Sequence, residues 1–243
     1  MTRKIIIAGN WKMYKTQQEG LAFLQQLQQE VVAGDQAVYL AVPYTMLAAL
    51  SAAAAGSPIV IGAQNMNDVS EGAFTGEIAA AMLKEAGAKF VLLGHSERRH
   101  IFHEDDAFIN RKVLKAAKEG LQPLLCVGET AAEREAQKTK TVLKDQLTKA
   151  LSNLAEPTDL VVAYEPVWAI GTGKTATPAM AEAAHKHIRQ VLKALYSENF
   201  ANDVSILYGG SVKPDNIQQL LTQENIDGAL IGAALYIMGL NFA

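Results

Sequence analysis

The chain of 243 residues has a single cysteine, Cys126, and lacks any long apolar run. One thiol cannot form an intramolecular disulfide, and without a CxxC pair or a Cys/His ligand spacing no structural metal site is predicted. The apolar run at residues 5–8 is too short for a signal peptide, and no later run reaches the roughly 18 residues of a membrane span. We therefore expect an unprocessed cytoplasmic protein that does not enter a membrane and holds no metal.

The chain also lacks a large excess of charge of either sign, because it has 22 Lys and Arg and 25 Asp and Glu, which give a formal charge of −3. So small a net charge produces no long-range field that would attract nucleic acid or an anionic membrane, and the expected partner is a small molecule. No Pro-rich or charged linker divides the chain. Its length, with 49% hydrophobic residues, predicts one domain over residues 1–243.

Short apolar runs rich in β-branched residues recur along the chain. Each is followed by Gly, Asn or Pro and then by a stretch with helical periodicity. Near-continuous apolar runs are typical of parallel strands that are buried on both faces. Eight such units favour a closed (β/α)₈ barrel, a TIM barrel, over an open doubly wound sheet, although the count alone does not exclude the latter. The predicted strands are residues 4–10, 37–42, 59–63, 90–94, 122–127, 160–164, 204–208 and 228–231.

Between these runs the sequence predicts amphipathic helices, of which residues 105–119 are an example. Acidic residues open this stretch, and Phe108, Ile109, Val113 and Ala116 recur at helical spacing. Gly120 is expected to end the helix.

In a βα barrel the active site lies at the carboxyl ends of the strands, so polar residues that follow the apolar runs are the candidates for catalysis. Glu165 directly follows a predicted strand and is placed where a general base belongs. Residues 166–176 then carry Trp168 and Ile170 between a proline and a Gly-Thr-Gly stretch, which is typical of a lid that closes over a ligand.

Two further candidates follow the first and fourth predicted strands. His95 precedes a short predicted helix, whose N-terminus would disfavour a positive imidazole and leave a neutral hydrogen-bond donor. Lys12 comes two residues after Asn10 and is expected to compensate negative charge on a substrate. Glycine-containing segments follow the last two strands, where barrels commonly bind phosphate, at Gly209-Gly210-Ser211 and Gly232-Ala233. The other four histidines lie away from strand ends and are interpreted as structural or solvated.

At these residues the sequence resembles the triosephosphate isomerase family over essentially its whole length. The resemblance rests on four blocks in the family's order: AGNWKM at 8–13, GHSERR at 94–99, AYEPVWAIGTGKTA at 163–176 and YGGSV at 208–212. GAQN at 62–65 and CVGE at 126–129 are also similar to the family. The assignment of a Glu base and a neutral His is a known example of pKa tuning in this family and is carried over from it.

The resemblance implies interconversion of dihydroxyacetone phosphate and D-glyceraldehyde 3-phosphate through an enediolate, as in glycolysis and gluconeogenesis, without cofactor or metal. Glu165 would remove the carbon-bound proton, while His95 and Lys12 stabilise charge on the oxygens. Asn10 would orient these groups, and Glu97 would pair with Lys12. Backbone N–H groups would hold the phosphate at Gly171, Ser211, Gly232 and Ala233.

A homodimer is also implied, through the loop at residues 64–77, with Thr75 near the partner's first and fourth loops. Apolar Met66 and Phe74 in that loop are taken as surface that docks on a second subunit.

Two departures from the family pattern concern Tyr14, where many members have Asn, and Ala233, where members usually have a second Gly. Ala233 is either a substitution or the sign of a shortened loop, and we favour the substitution because Gly232 still follows the strand directly.

Two other functions stay open: a Schiff-base aldolase with Lys12 as nucleophile, and a sugar-phosphate-binding barrel without catalysis. The Glu165, His95 and Lys12 set speaks against both.

Overall fold

The computed structural model describes residues 3–31, 34, 36–157, 159–170 and 175–232. Within them, eight parallel strands form a closed barrel in which each strand pairs with the next and β1 pairs with β8. The strands are β1 Ile5–Asn10, β2 Gln36–Val42, β3 Ile59–Ala63, β4 Phe90–Leu93, β5 Gln122–Val127, β6 Val161–Tyr164, β7 Ser205–Tyr208 and β8 Gly228–Gly232. The predicted barrel is confirmed.

The pairing of β1 with β8, with Ile6 opposite Gly228, decides against the open sheet. Predicted strand ends differ from the observed ones by no more than one residue. Lys4, for example, lies just outside β1, and Gly232 is the last residue of β8.

Helices cover the outside of the barrel. Helix α5 begins at Asp106, after an N-cap at Asp105 whose side chain accepts the Phe108 N–H, and ends before Gly120 in the left-handed conformation at φ 73°. The helix predicted there is therefore confirmed, with caps of the expected type. The described helices are α1 Gln17–Glu30, α2 Tyr44–Ala53, α3 Ala80–Glu85, α4 Ser96–His100, α5 Asp106–Glu119, α6 Ala131–Glu135, α7 Thr139–Ala150, α8 Pro178–Leu195, α9 Glu198–Asp203 and α10 Ile217–Leu221.

Alternation along each strand divides the core into two layers. One set of side chains fills the barrel interior, where the rings of Tyr39 and Phe90 stack with centroids 4.8 Å apart. The other set, such as Val38 and Leu40 of β2, packs against the helices. Both faces of the strands are thus buried, which explains their near-continuous apolar sequence. None of the described helices is long and apolar enough to cross a membrane.

A buried ion pair ties helix α8 to the last two strands. Arg189 donates to Asp227 at 2.7 Å, and the same Asp227 oxygen accepts the backbone N–H of Ile206 at 2.9 Å. Because removal of one partner would leave a buried charge unpaired, this contact holds the helix to the barrel wall.

Candidate active site

A cavity of about 280 Å³ opens at the carboxyl ends of the strands. It collects the polar residues that the sequence places at strand ends, from chain positions more than 200 residues apart. Its lining includes Asn10, Lys12, Tyr14, His95, Glu165, Ile170, Gly209, Gly210, Ser211, Val212 and Gly232. Tyr14, one of the two departures from the family pattern, is exposed and stands at the rim.

Glu165 lies directly after β6 and is only 3% exposed. One carboxylate oxygen, Oε2, accepts the backbone N–H of Ser96 at 2.9 Å, and the other, Oε1, lies 2.9 Å from His95 Nε2. Burial raises the pKa of this carboxyl, but His95, the Ser96 N–H and the Lys12 charge together lower it below its usual value. Glu165 is therefore an ionised carboxylate held in low-dielectric surroundings.

His95 is the N-cap of helix α4, and its Nδ1 accepts the Glu97 N–H at 3.2 Å. That hydrogen bond needs an unprotonated Nδ1 and leaves the proton on Nε2, which points to Glu165. Burial lowers the pKa of His95, but the charges of Glu165 and Glu97 outweigh burial and raise it. The hydrogen bond from the Glu97 N–H favours the neutral ring, while the adjacent carboxylates favour the protonated one.

Lys12 adopts a left-handed backbone with φ 50°, and its Nζ lies 2.7 Å from Glu97 Oε1. The expected pairing of Lys12 with Glu97 is thus present in the structure. Asn10 accepts the Lys12 N–H at 2.9 Å through its side-chain oxygen. Non-glycine residues adopt such a φ only when their surroundings hold them there.

Gln64 supplies that support and was not singled out from the sequence. Its Nε2 donates to the Lys12 carbonyl at 2.8 Å and to Asn10 Oδ1 at 3.1 Å. Gln64 immediately follows the last residue of β3, so the same strand-end rule that identified Glu165 could have found it.

Two segments form the opposite wall of the cavity. The loop after β7 contains Ser211, and β8 ends at Gly232. A side chain at Gly232 would meet Lys12, because an added Cβ would lie 3.1 Å from Lys12 Cε. Gly171 and Ala233, predicted to bind phosphate, lie outside the described residues.

The segment that follows Glu165 is attached to the barrel through Glu129, which is fully buried. Trp168 Nε1 donates to Glu129 Oε1 at 3.0 Å, and the Tyr164 hydroxyl donates to the same carboxylate. Glu129 lies in the CVGE stretch, but no role for it could be read from the sequence.

Cys126 is buried in the barrel interior, and burial raises the pKa of its thiol, so it acts as a packing residue.

A second cavity of about 440 Å³ adjoins the first and shares Asn10, Lys12 and His95 with it. Met13, Tyr44 and Phe102 line this cavity and are exposed, and Phe74 is half exposed in the 64–77 loop, whose Gly76 and Glu77 also line the cavity. The interpretation of Met66 as surface was wrong, because its side chain is fully buried in the core between barrel and helices.

Across the described ranges, no group of three or more His, Cys, Asp or Glu could hold a metal ion.

The family model for triosephosphate isomerase matches residues 5–238, almost the entire chain. The chain belongs to the triosephosphate isomerase family. Triosephosphate isomerase from Protochlamydia amoebophila is 51% identical over 234 residues, which cover 96% of this chain and 89% of that protein. The enzymes of Alkaliphilus metalliredigens and Herpetosiphon aurantiacus are each 48% identical, with 96% of this chain and 94% of theirs covered.

Family membership confirms the resemblance that the four sequence blocks indicated. It gives no support to the Schiff-base aldolase or to the barrel without catalysis. Chemically, Lys12 also lacks the apolar surroundings of a Schiff-base nucleophile, because Glu97 lies 2.7 Å from its ammonium.

Proposed function

We propose that this member of the triosephosphate isomerase family interconverts dihydroxyacetone phosphate and D-glyceraldehyde 3-phosphate by proton transfer through an enediolate. One observation carries the assignment of roles: Glu165, His95 and Lys12 all line one cavity of about 280 Å³. A base, a hydrogen-bond donor and a cation around one small cavity are what abstraction of a proton next to a carbonyl requires. The reaction would serve glycolysis and gluconeogenesis in the cytoplasm, with residues 1–243 as one catalytic domain.

Glu165 is the base in this proposal. Both of its oxygens are occupied by Ser96 and His95, so the carboxylate must release at least one of these contacts to reach the substrate carbon. It would take the proton from one carbon and return it to the neighbouring carbon. Its buried position strengthens the interaction with the developing charge, since little water screens it.

His95 and Lys12 stabilise the substrate oxygens. When Glu165 turns towards the substrate, the carboxylate that raises the pKa of His95 moves away, while the Glu97 N–H still binds Nδ1. The ring is then a neutral donor through Nε2. The ammonium of Lys12 would neutralise charge on the enediolate, with Asn10 and Glu97 fixing its position.

The phosphate would be held by backbone N–H groups of Ser211 and Gly232, together with Gly171 and Ala233. Alanine keeps its N–H, so the substitution interpretation of Ala233 preserves the full set of donors. The lid at residues 166–176 would exclude water from the reactive enediolate.

We further propose a homodimer through the loop at residues 64–77. The support is Phe74, half exposed in this loop, and the exposed Met13 and Phe102 beside the second cavity. Large apolar side chains that are left exposed in this way are typical of a surface that a partner covers. Thr75 would then contact the partner's first and fourth loops.

The experiment that tests the function is a coupled assay for formation of glyceraldehyde 3-phosphate from dihydroxyacetone phosphate. Turnover by the purified chain supports the proposal, and an inactive folded chain that still binds phosphoglycolate would support the barrel without catalysis. Borohydride trapping with substrate separates out the aldolase, since a covalent adduct on Lys12 is expected only for a Schiff base.

A further inference from the structure

Arg99 in helix α4 binds the two peptide groups that flank His95. Its backbone N–H donates to the His95 carbonyl at 3.1 Å, and its side-chain Nε returns to the Gly94 carbonyl at 2.7 Å. The side chain is only 8% exposed, and Arg99 does not line the cavity of the proposed site. It is the last residue of the GHSERR block, and none of the roles proposed so far uses it.

The same guanidinium joins the ends of two paired strands. Gly94 immediately follows the end of β4, and Arg99 Nη2 donates to the carbonyl of Cys126 in the neighbouring strand β5 at 3.1 Å. Nη1 donates to the side chain of Asp106, the first residue of α5, at 2.7 Å. One planar cation therefore binds three acceptors, at the exit of β4, on β5 and on α5, and its rigid shape restricts their relative positions.

The turn at Gly94 is shaped around this cation. Its backbone is left-handed, with φ 69°, and a Cβ added there would lie 2.9 Å from Arg99 Nη2 and 3.1 Å from the Cys126 carbonyl oxygen. The guanidinium thus occupies space that a side chain at position 94 would need. A glycine has many accessible conformations, so the contacts with Arg99 help to select the one from which His95 follows.

The position of His95 matters because its Nε2 is the proposed donor to the substrate oxygens. Displacement of a reacting group by about 1 Å can cost on the order of 100-fold in rate. The acceptors of the Arg99 side chain are backbone carbonyls at β4 and β5 and a carboxylate on α5. None of them belongs to the segment after β6, so these contacts can persist while Glu165 turns and the lid closes.

We propose that Arg99 is a positioning residue for the isomerase reaction, which holds the Gly94 turn between β4 and β5 and so places the His95 ring for hydrogen bonding to the substrate. This inference rests on the function proposed above. Arg99 touches neither substrate nor reacting atoms, so its loss should lower kcat. The affinity for phosphoglycolate should change little, because the groups proposed to hold phosphate lie at the ends of β7 and β8.

The kinetic test compares Arg99→Met, Arg99→Lys, His95→Gln and the double variant that combines Arg99→Met with His95→Gln. Arg99→Met should lower kcat about tenfold, or ~1.4 kcal/mol of barrier, with KM changed less than about threefold. Lysine keeps the charge but lacks the planar fork that binds several acceptors at once, so Arg99→Lys should recover only part of kcat. If Arg99 acts through His95, the double variant should lose no more than the larger single loss.

The control is Lys193→Met, which removes an exposed cation paired with Glu198 and should match wild type.

Nuclear magnetic resonance of ¹⁵N-labelled histidine provides a readout independent of turnover. The signals that disappear in His95→Gln belong to His95, and the other four histidines are internal references. The shifts of Nδ1 and Nε2 depend on the contacts with Glu97 and Glu165, so both should change in Arg99→Met and be partly restored in Arg99→Lys. If Arg99 only stabilised the fold, these shifts would be the same in the folded variants as in wild type.

Should the Met variant fail to fold, the Lys variant decides, since wild-type kcat and wild-type His95 signals there would overturn the proposal. Unchanged kcat in a folded Arg99→Met would also overturn it, as would losses that simply add in the double variant. An inactive wild-type chain would instead contradict the proposed function, and the two failures are therefore distinguishable.

Discussion

At the scale of single residues, the site is defined by contacts that occupy each reactive group before substrate arrives. Glu165 is bound by Ser96 and His95, and Lys12 is bound by Glu97. In the proposed mechanism, substrate replaces some of these contacts. Glu165 then acts mainly on the reacting carbon, whereas Lys12 contributes to substrate binding as well as to turnover. Substitutions at the two charged residues are expected to separate these contributions.

Replacing the proposed base tests the first role. Glu165→Gln keeps the shape and hydrogen-bonding capacity of the side chain but cannot accept the proton, so kcat should fall by roughly 10²–10⁴ while KM changes little. Steady-state kinetics in both directions measure this, with Glu198→Gln as an exposed control. A large rise in KM with kcat unchanged would contradict the assignment.

Replacing the cation should have a different signature. Lys12→Met should weaken both phosphoglycolate binding and turnover, because a positive charge beside the substrate interacts with the ground state as well as the transition state. Calorimetry with phosphoglycolate measures the first effect, and Lys144→Met, an exposed lysine in helix α7, controls for the loss of net charge. Wild-type inhibitor affinity in the variant would rule out the role.

At the scale of elements, helix α8 contains a histidine that lies outside the proposed site. His185 is fully buried, with its ring packed on those of Tyr164 and Tyr208. The interpretation of this residue as structural agrees with its position. Its burial nevertheless has a consequence for stability.

Burial, reinforced by the charge of Arg189, lowers the pKa of His185 to about 3 from its usual 6.5. Below pH 6.5 the unfolded chain therefore binds a proton that the folded chain does not, and the free energy of unfolding falls as pH falls, by up to about 1.4 kcal/mol per unit. His185→Gln should remove this dependence on pH. The free energy of unfolding that is lost between pH 7 and pH 5 should then be smaller than in wild type by about 2 kcal/mol.

Urea unfolding at fixed protein concentration measures this effect, with His100→Gln as an exposed histidine control. If His185→Gln and wild type lose equal stability between the two pH values, buried neutral His185 does not contribute to acid sensitivity.

The loop after β8 is the second element-scale case. Ala233 lies outside the described residues, but Gly232 ends β8 beside Lys12. If alanine substitutes for a glycine at a negative φ, Ala233→Gly should change KM and phosphoglycolate affinity only slightly. Insertion of a glycine after Gly232 should impair both. Tighter binding on insertion would show that the loop is a shortened one.

At the scale of the whole molecule, the exposed apolar side chains of the 64–77 loop and of the second cavity predict the assembly. We expect a homodimer at micromolar concentration, because a second copy would cover Phe74, Met13 and Phe102 and remove their apolar surface from water. Sedimentation equilibrium measures the mass, and Phe74→Asp should shift the population towards monomer. A wild-type monomer at that concentration would refute the dimer.

The closed barrel and the positions of its strands were predicted from local sequence alone. Strands buried on both faces need continuous apolar runs, and the residue after each run is at a strand end whatever the tertiary details are. Glu165, His95 and Lys12 were chosen as candidates in this way, and they line one cavity. Met66 was misplaced, because an apolar residue in a loop carries no local sign of whether it faces the core or solvent.

What the sequence by itself determined is therefore the positions of the strands, the family and the identity of the charged groups at the strand ends, since these depend on periodicity and on short motifs. Closure of the sheet into a barrel was favoured by the sequence and decided by the pairing of β1 with β8. Only the tertiary structure decided which atoms meet. Lys12 and Glu97 are 85 residues apart, and Gln64 reaches Lys12 across 52 residues. Such contacts depend on how barrel closure brings the ends of non-adjacent strands together around one mouth. The directions in which the pKa values of Glu165 and His95 shift follow from the same closure, because burial and charge distance exist only in the folded chain.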